Sequence, residues 1–390
     1  MKKISLKLLD NIQFIYELAL ARLELQSFIG NFEVANDFRE FELESPAEVK
    51  ELKKRLAYFK TIGEEYSDYF KLQKHNQTRS VNQYLTHWIY PYKGKFHPQM
   101  IRALINIIGL KEGETLLDPF VGSGTAILEG QLLGINSMGI DVSPLCVLIG
   151  KVKTESLHFI GQIKKHKDFY TKGANLFSHD ITIDEPEIEE VRNFYKVAEM
   201  VSRSDQSRRG KNFQKSFLEN IDRMINSTED FARAVEELEL KLGKTRVIEG
   251  DARNIKLKDE TVDGVITSPP YSIALNYVAN DAHSLSALGY DLNKIKDNFI
   301  GVRGTGVGKF KLYDEDMEKA YREIYRVLKK GKCCVVVIGN VTFQGQEIDT
   351  TQNVINFCEK IGFTTVKKMA KIIYGLYNVM QTEYILIFKK

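Results

Sequence analysis

The chain has 390 residues, of which 43% are hydrophobic and 27% charged, and its formal net charge is +3. This composition is typical of globular proteins and excludes a wholly disordered chain. Because the charge is nearly balanced, any nucleic-acid binding must come from a local basic face. The four cysteines have no C-x-x-C spacing, which argues against a structural zinc site and a disulfide framework.

The N-terminus begins with lysines but reaches Asp10 and Glu17 without the apolar core of a signal peptide. The longest apolar runs, such as residues 333–338, have the length of a strand and fall far short of the ~20 residues that cross a bilayer. We therefore expect a soluble, cytoplasmic protein that has neither a membrane nor a metal partner.

Residues 1–89 carry two helical signals. Aliphatic side chains recur every three to four residues between Leu8 and Leu23. Residues 45–48, Ser-Pro-Ala-Glu, combine an N-cap serine, a proline at the first helical position and a glutamate that completes a capping box. The helical period then continues to about Phe70. These signals predict a helical N-terminal extension.

From residue 90 onward, short apolar runs alternate with helical segments, which is the pattern of a mostly parallel sheet with crossover helices. The pattern predicts seven strands, over residues 115–117, 137–140, 246–249, 262–267, 333–338, 364–370 and 383–388. The connection between the last two strands is too short for a parallel crossover, so we expect an antiparallel pair.

About a hundred residues separate the second and third strands, where a simple α/β unit needs far fewer. We predict a helical insertion over residues 151–243, which is also a candidate for target recognition. Its stretch 203–215 contains five basic residues and one acidic residue, a net charge of +4 by 5 − 1. Such a stretch fits either a solvated loop between helices or a phosphate-binding patch.

A turn between a predicted strand and a predicted helix has the sequence Asp-Pro-Phe-Val-Gly-Ser-Gly-Thr. Its candidate cofactor-binding residues are Asp118, Pro119, Phe120, Gly122, Ser123, Gly124 and Thr125. Open α/β sheets bind ligands at such turns, and glycines let the backbone approach a ligand closely. A nicotinamide-binding fingerprint would require a small residue at position 127, which is Ile127.

Two further aspartates follow the neighbouring strands. Asp141 lies 141 − 118 = 23 residues after Asp118, close to the ~20-residue spacing of a carboxylate that accepts hydrogen bonds from ribose hydroxyls. Asp251, followed by Ala252, ends the next strand and by itself would fit a helix N-cap equally well. Three aspartates at successive strand ends favour the rim of a cofactor site.

The strand predicted at residues 262–267 ends in Ser268, Pro269, Pro270 and Tyr271. The exocyclic amines of cytosine and adenine are weak nucleophiles because the nitrogen lone pair is delocalised into the ring. The serine hydroxyl and the carbonyl of the stiff Pro269 can accept hydrogen bonds from such an amine and draw it toward tetrahedral geometry. The tyrosine ring can stack on a base that has been rotated out of a duplex.

Together these motifs resemble those of the S-adenosylmethionine-dependent amino methyltransferases that modify cytosine N4 or adenine N6 in DNA. The turn at residues 118–125 resembles their motif I, residues 90–98 resemble motif X, and residues 268–271 resemble the catalytic motif. The resemblance covers residues 90–390 apart from the insertion. It implies a Rossmann-like class I methyltransferase fold, S-adenosyl-L-methionine as cofactor, double-stranded DNA as substrate and a cognate restriction endonuclease as a partner in restriction-modification.

The resemblance also implies roles for single residues. Phe96 would pack on the methionine end of the cofactor, and Asp251 would face its adenine. Further candidates for the base or the DNA are Asn276, Tyr277, Arg303, Tyr374 and Tyr377. For Asn276 and Tyr277, a packing role is equally compatible with the sequence. The glycine-rich segment around Arg303 could equally be an ordinary surface loop. Target recognition is expected either in the insertion or around residues 288–313.

Methylation at carbon 5 of cytosine uses a cysteine that follows a proline, and none of the four cysteines here follows one. Direct transfer to nitrogen is therefore expected. Within the family a serine at the first position of the catalytic motif is more typical of cytosine-N4 enzymes, so cytosine N4 is the leading prediction. The alternatives are an adenine-N6 DNA methyltransferase, an RNA amino-group methyltransferase and a cofactor-binding scaffold without catalysis, against which the intact motifs argue.

Overall fold

A computed structural model describes residues 3–44, 49–78, 80–174, 186–270, 277–303, 308–343, 346–374 and 380–390. Its elements before residue 90 are β1 (Lys3–Leu8), α1 (Ile15–Gln26), β2 (Glu33–Ala35), β3 (Glu40–Glu44), α2 (Val49–Arg55), β4 (Phe59–Ile62), β5 (Glu65–Tyr66) and α3 (Asp68–Leu72). The strands form an antiparallel sheet in the order β2-β3-β1-β4-β5.

The prediction of a helical N-terminal extension is correct for α1 and α2, which overlap the two helical signals, but it misses the five-stranded sheet. Lysine, serine and aliphatic residues alternate in β1, so that Leu6 and Leu8 are buried while Lys7 is exposed. This period of two is the signal of a half-buried strand, and it overrides the helical spacing that begins at Leu8. The second predicted helix also ends early, at Arg55. Residues 45–48, its predicted start, lie outside the described part of the chain.

The elements from α4 to β9 are α4 (Pro98–Ile107), β6 (Thr115–Asp118), α5 (Thr125–Leu132), β7 (Asn136–Asp141), α6 (Pro144–Glu155), a 3₁₀ helix (Ser156–Phe159), α7 (Ile160–Ala174), α8 (Glu189–Arg209), α9 (Phe213–Glu237), β8 (Thr245–Glu249) and β9 (Val262–Thr267). The remaining elements are α10 (Tyr277–Asn280), α11 (Ala282–Ala287), α12 (Leu292–Asn298), α13 (Gly308–Val327), β10 (Leu328–Gly339), β11 (Val341–Phe343), β12 (Gln346–Ile348), α14 (Thr350–Ile361), β13 (Thr364–Tyr374) and β14 (Met380–Lys389). None of the described helices combines the length and apolar character that a bilayer-spanning segment requires.

The main sheet has the strand order β13-β14-β10-β9-β6-β7-β8. Strands β10, β9, β6, β7 and β8 run parallel to one another, and β14 is antiparallel to both β10 and β13. Every residue of β9 is buried, as expected for a central strand covered by helices on both faces. This arrangement confirms the predicted class I methyltransferase fold with its antiparallel last pair.

Helices α7, α8 and α9 occupy the predicted insertion, and its helical character is confirmed in the described residues. They pack against the segment that leads into α4, where the Trp88 indole donates a hydrogen bond to Ser227 of α9 over 2.6 Å. Most cations of the basic stretch pair within the protein, as Arg203 with Glu199, Arg208 with Asp281, and Arg209 and Lys211 with Asp205.

Candidate active site

Asp118 ends β6 and ties the two predicted motifs together. Its side chain is buried, and Oδ1 accepts hydrogen bonds from the Phe120 backbone N–H over 3.1 Å and from the Thr267 hydroxyl over 2.7 Å. Thr267 is the last residue of β9, directly before Ser268. The carboxyl ends of these adjacent strands therefore hold the glycine-rich turn and the Ser-Pro-Pro turn side by side.

Burial raises the pKa of Asp118 to about 7, although the hydrogen bonds from Thr267 and Phe120 act in the opposite direction. The residue does not lie among those that line the neighbouring cleft. Its position is that of a support beneath the turn, while the adjoining Pro119 and Phe120 face the cleft.

The glycine-rich turn depends on backbone conformations that favour glycine. Gly122 has φ of +47° and Gly124 has φ of +77°, and Gly124 is the N-cap of α5. A Cβ atom at Gly122 would lie 3.1 Å from the Tyr92 ring. The hydroxyls of Ser123 and Thr125 are 3.2 Å apart. The backbone of the turn therefore faces the cleft directly, in space that a side chain would otherwise occupy.

Asp141 ends β7 and lines the same cleft. Its Oδ2 accepts a hydrogen bond from the Gly122 N–H over 2.9 Å, and its Oδ1 accepts one from the Ser143 N–H over 2.9 Å. Burial raises its pKa to about 6, against the effect of these donors. Each carboxylate oxygen has a second lone pair, so Asp141 can still accept from the hydroxyls of a ribose.

The cleft opens at the carboxyl ends of β6, β7 and β9, where open α/β sheets bind ligands. Its lining joins the glycine-rich turn, Asp141, Ser268 and Pro270 to Phe96 of the predicted motif X. S-adenosylmethionine requires three kinds of group here. An exposed backbone turn suits its amino-acid portion, a carboxylate at the next strand end suits its ribose, and an apolar aromatic wall suits its thioether portion. The described residues thus fit this cofactor.

The catalytic motif is described through Pro270. Ser268 is partly exposed to the cleft and Pro269 is buried. The carbonyl of Pro270 accepts a hydrogen bond from the Tyr313 hydroxyl over 3.0 Å, which fixes the turn against α13.

The predicted residues of the base site lie partly outside the described part of the chain. Tyr271, Asn276 and Tyr377 lie outside the described residues, while Tyr277 begins α10 and Tyr374 ends β13.

The third strand-end aspartate belongs to an ion-pair network. Asp251 accepts from Nε and Nη2 of Arg253, and Arg253 also contacts the buried Asp316 over 3.0 Å. Arg303 pairs with the same Asp316 carboxylate. Neither Asp251 nor the buried Ala252 is among the residues that line the cleft. Their predicted contact with the cofactor stays a prediction, as does contact of Arg303 with DNA.

Two lysines near the turn were not predicted from the sequence. Lys153 of α6 is fully buried, and its Nζ donates a hydrogen bond to the Ser123 carbonyl over 2.8 Å. Lys95 lines the cleft, donates to the His87 carbonyl, and has its pKa lowered to about 8 by burial. For Lys153 the sequence does offer a signal, because this lysine lies four residues along α6 from Ile149, at a position on the same buried face as Ile149 and Val152.

Comparison with known proteins agrees with this geometry. A family model described as the RMKL-like methyltransferase domain, UPF0020, matches residues 89–285, half of the chain. Two relatives are the type II methyltransferases M.BsoBI of Geobacillus stearothermophilus, 26% identical over 55% of this chain and 55% of its own, and M.MvaI of Kocuria varians, 28% identical over 55% and 59%. A tRNA (guanine(10)-N2)-dimethyltransferase of Methanothermobacter thermautotrophicus is 37% identical over 51 residues, 13% of this chain and 15% of its own.

The fold and the cleft define the class of protein: it is an S-adenosylmethionine-dependent methyltransferase. The chain belongs to the UPF0020 family of RMKL-like methyltransferase domains. It spans little more than half the length of M.BsoBI and M.MvaI.

Proposed function

We propose that this protein transfers a methyl group from S-adenosylmethionine to the exocyclic amino group of a base rotated out of double-stranded DNA, with cytosine N4 as the acceptor. The observation that carries the proposal is the position of Ser268. It lines the cofactor cleft and directly follows Thr267, whose hydrogen bond to Asp118 fixes this strand end against the glycine-rich turn. The position of Ser268 supports a role in activating an amine next to the cofactor.

The chemistry requires acceptors for the amine hydrogens. The Ser268 hydroxyl accepts one and the Pro269 carbonyl accepts the other, which localises the lone pair on nitrogen. The Pro270 carbonyl is already engaged by Tyr313, so the turn is rigid before the base arrives. S-adenosylmethionine supplies an electrophilic methyl group when it is bound.

DNA is the proposed substrate because two relatives that match more than half of this chain are named type II methyltransferases. A cognate restriction endonuclease is the corresponding proposed partner. Target recognition is assigned to the insertion or to the region around residues 288–313. The basic stretch at 203–215 gives this assignment little support, since most of its cations already pair with carboxylates.

Two other acceptors keep the same chemistry. Adenine N6 is less favoured because its enzymes usually carry aspartate or asparagine in place of Ser268. An RNA amino group is supported by the short match to a tRNA guanine-N2 dimethyltransferase. A cofactor-binding scaffold without catalysis is disfavoured, because the turns at 118–125 and 268–270 are both present and adjacent.

The test is incubation of the protein with methyl-labelled S-adenosylmethionine and either unmethylated duplex DNA or total RNA. The product is digested to nucleosides and identified by mass spectrometry. We expect label in N4-methylcytosine of DNA. Label in N6-methyladenine would move the acceptor to adenine, and label in RNA alone would reject DNA as the substrate.

Ser268→Ala is the matching variant, with Ser27→Ala at an exposed helix end as control. We expect Ser268→Ala to lower kcat by about 100-fold, the size of effect seen when one preorganised hydrogen-bonding group is removed. Cofactor affinity, measured by calorimetry, should change little. Full activity of Ser268→Ala with bound cofactor would reject the proposed site.

A further inference from the structure

A second cavity opens on the far side of Ser268. It contains about 910 Å³ of empty space and is walled by Phe14 and Tyr16 of the N-terminal part and by Lys371 and Glu383 of the last two strands. It shares Ser268 and residues 94–96 with the cofactor cleft. A group in this cavity and a cofactor in the cleft would therefore meet at Ser268.

We propose that this second cavity receives the target base, that Tyr16 forms an aromatic wall for it, and that Lys371 reads a carbonyl group on the base edge. The inference rests on the proposed function, because it takes methyl transfer to a base amine as given. It gives the N-terminal part of the chain a direct role in substrate binding.

The aromatic wall is held in place before any ligand binds. The rings of Phe14 and Tyr16 are stacked, with centroids 5.7 Å apart and an interplanar angle of 22°. Glu17 accepts hydrogen bonds from the backbone N–H groups of Gln13 over 2.9 Å and of Phe14 over 3.0 Å, which fixes the start of α1. Aromatic faces of this kind stack on bases of any sequence, so they supply affinity more than selectivity.

Tyr16 also lies close to the charged wall of the cavity. Burial raises the pKa of its hydroxyl, and the negative charges of Glu17 and Glu383 raise it further. The hydroxyl is consequently neutral at physiological pH. It can donate to a base or to a carboxylate without adding charge to the cavity.

Selectivity would come from the ion pair. Lys371 Nζ lies 2.6 Å from Glu383 Oε2, the two residues are cross-strand partners, and the Lys371 side chain is almost fully buried. Buried ion pairs are costly to desolvate and contribute little net stability. Glu383 on β14 pairs with Gly339 on β10, and β10 adjoins β9, the strand that leads into Ser268. Glu383 is therefore two strands from β9 and Lys371 is three strands from it, at about 4.8 Å per strand.

This order of groups matches one class of base. Cytosine carries a carbonyl on the same edge as its amine, with one ring nitrogen between the two substituted carbons, and guanine has the same arrangement. Adenine has a C–H group at that position. A lysine ammonium only donates hydrogen bonds, and Glu383 takes one of its three N–H groups. Lys371 can therefore donate another to a base with this carbonyl, whereas the C–H group of adenine offers it no acceptor. With DNA as substrate, the amine is at Ser268 and the carbonyl faces Lys371.

The experiment measures methylation of unmethylated duplex DNA by the full chain, with the nucleoside products identified by mass spectrometry. The key variant is the double substitution Lys371→Met and Glu383→Gln, which removes both charges and avoids an unpaired one. We expect kcat/KM on cytosine to fall at least 10-fold while the affinity for S-adenosylmethionine stays within twofold. Lys367→Met, an exposed lysine on the same strand, is the control and should match the wild type.

Tyr16→Leu and Tyr16→Phe test the aromatic wall. We expect the leucine variant to raise KM for DNA at least fivefold, and the phenylalanine variant to keep most of the activity because it keeps the ring face. Circular dichroism and cofactor affinity verify that each variant is folded. Wild-type kcat/KM in both the double variant and Tyr16→Leu would overturn the inference.

The wild-type product separates this inference from the proposed function. Label in guanine keeps the reading of a carbonyl by Lys371 and overturns the assignment to cytosine. Label in adenine overturns the reading by Lys371. If no nucleic acid is labelled while the cofactor binds, the proposed function fails, and the inference fails with it.

Discussion

Asp118 and Asp141 end neighbouring strands, yet they have different tasks. Asp118 is buried and receives the Thr267 hydroxyl, whereas Asp141 faces the cleft and receives the backbone of the glycine-rich turn. In both residues burial raises the pKa, to about 7 and about 6 respectively. Burial therefore disfavours the ionised form of both carboxyl groups, and at Asp141, which lines the cleft, hydrogen-bond donors of a bound ligand can offset this cost.

For Asp141 this predicts that cofactor affinity depends on pH. Ribose hydroxyls donate to the ionised carboxylate, so binding is strongest above the pKa of about 6 and weakens as the pH falls through it. We expect the dissociation constant to rise about 10-fold between pH 7.5 and pH 5, since each pH unit well below a pKa costs about a factor of ten. Calorimetric titration with S-adenosylmethionine measures this change.

Asp141→Asn is the matched variant, and Asp37→Asn on an exposed turn is the control. The asparagine variant should bind weakly at every pH in this range, with a much flatter profile, because it cannot ionise. The same steep profile in Asp141→Asn would assign the titration to another group, with Asp118 as the next candidate.

The turn from β6 to α5 is the element that forms the floor of the cleft. Lys153 donates to the Ser123 carbonyl from below, Asp141 receives the Gly122 N–H from the side, and Gly124 begins the helix in a left-handed conformation. The turn is thus fixed from three directions by residues of α6, β7 and α5. Its shape is preorganised and does not depend on the ligand.

We predict that Gly122→Ala loses cofactor binding beyond its effect on stability. The substitution imposes a positive φ on a residue with a Cβ, at a cost of about 1–2 kcal/mol, and places that Cβ 3.1 Å from the Tyr92 ring. Gly210→Ala is the control, because Gly210 has φ of +63° and open space around its Cβ position. Both variants should lose similar stability in urea denaturation, but only Gly122→Ala should bind the cofactor at least 10-fold more weakly. Equal affinities would contradict the preorganised turn.

Most strands of the main sheet were predictable because they contain a short apolar run bounded by helical or turn segments. The strand at 262–267 was placed correctly at both ends, since a fully buried strand is apolar throughout. The N-terminal sheet was not predictable in the same way. Its strands are short and pair across long sequence separations, as β1 does with β3 and β4, so the local helical spacing around Leu8 dominated the pattern.

The candidate site shows the same division. Motif residues such as Gly122, Asp141 and Ser268 were found because they follow strands along the chain and meet at one edge of the sheet. Lys371 and Tyr16 were missed, because they reach the second cavity from elements far apart in sequence. Only the strand order and the packing of α1 bring them to the same cavity as Ser268, and no local spacing carries that information.

At the scale of the whole molecule, the N-terminal part and the methyltransferase fold share one buried polar network. Glu24 of α1 accepts from the Ala57 N–H over 2.8 Å and from Asn106 of α4 over 2.7 Å. Arg55 donates to the same Asn106 over 2.9 Å, and Arg102 lies 3.3 Å from Glu129 of α5. Because α5 follows the glycine-rich turn, the N-terminal part is linked through buried groups to the cofactor site.

This network predicts that the two parts unfold together and that Glu24 sets a pH dependence of stability. Burial raises the pKa of Glu24 to about 7, so its contribution is greatest at low pH and is lost as the pH rises through about 7. Glu24→Gln retains a carbonyl acceptor and cannot ionise. We expect the unfolding free energy of the wild type to fall relative to Glu24→Gln by on the order of 2 kcal/mol between pH 5 and pH 8.

Urea denaturation at the two pH values measures this difference, with Glu239→Gln on an exposed turn as the control. Fluorescence of Trp88, the single tryptophan, reports on the segment between the N-terminal part and α4, and far-UV circular dichroism reports on the whole chain. Coincident transitions are expected, because breaking the buried Glu24 network exposes groups of both parts at once. A separate early transition would show that the N-terminal part unfolds on its own. In that case Tyr16 would line the second cavity only while the N-terminal part remains docked.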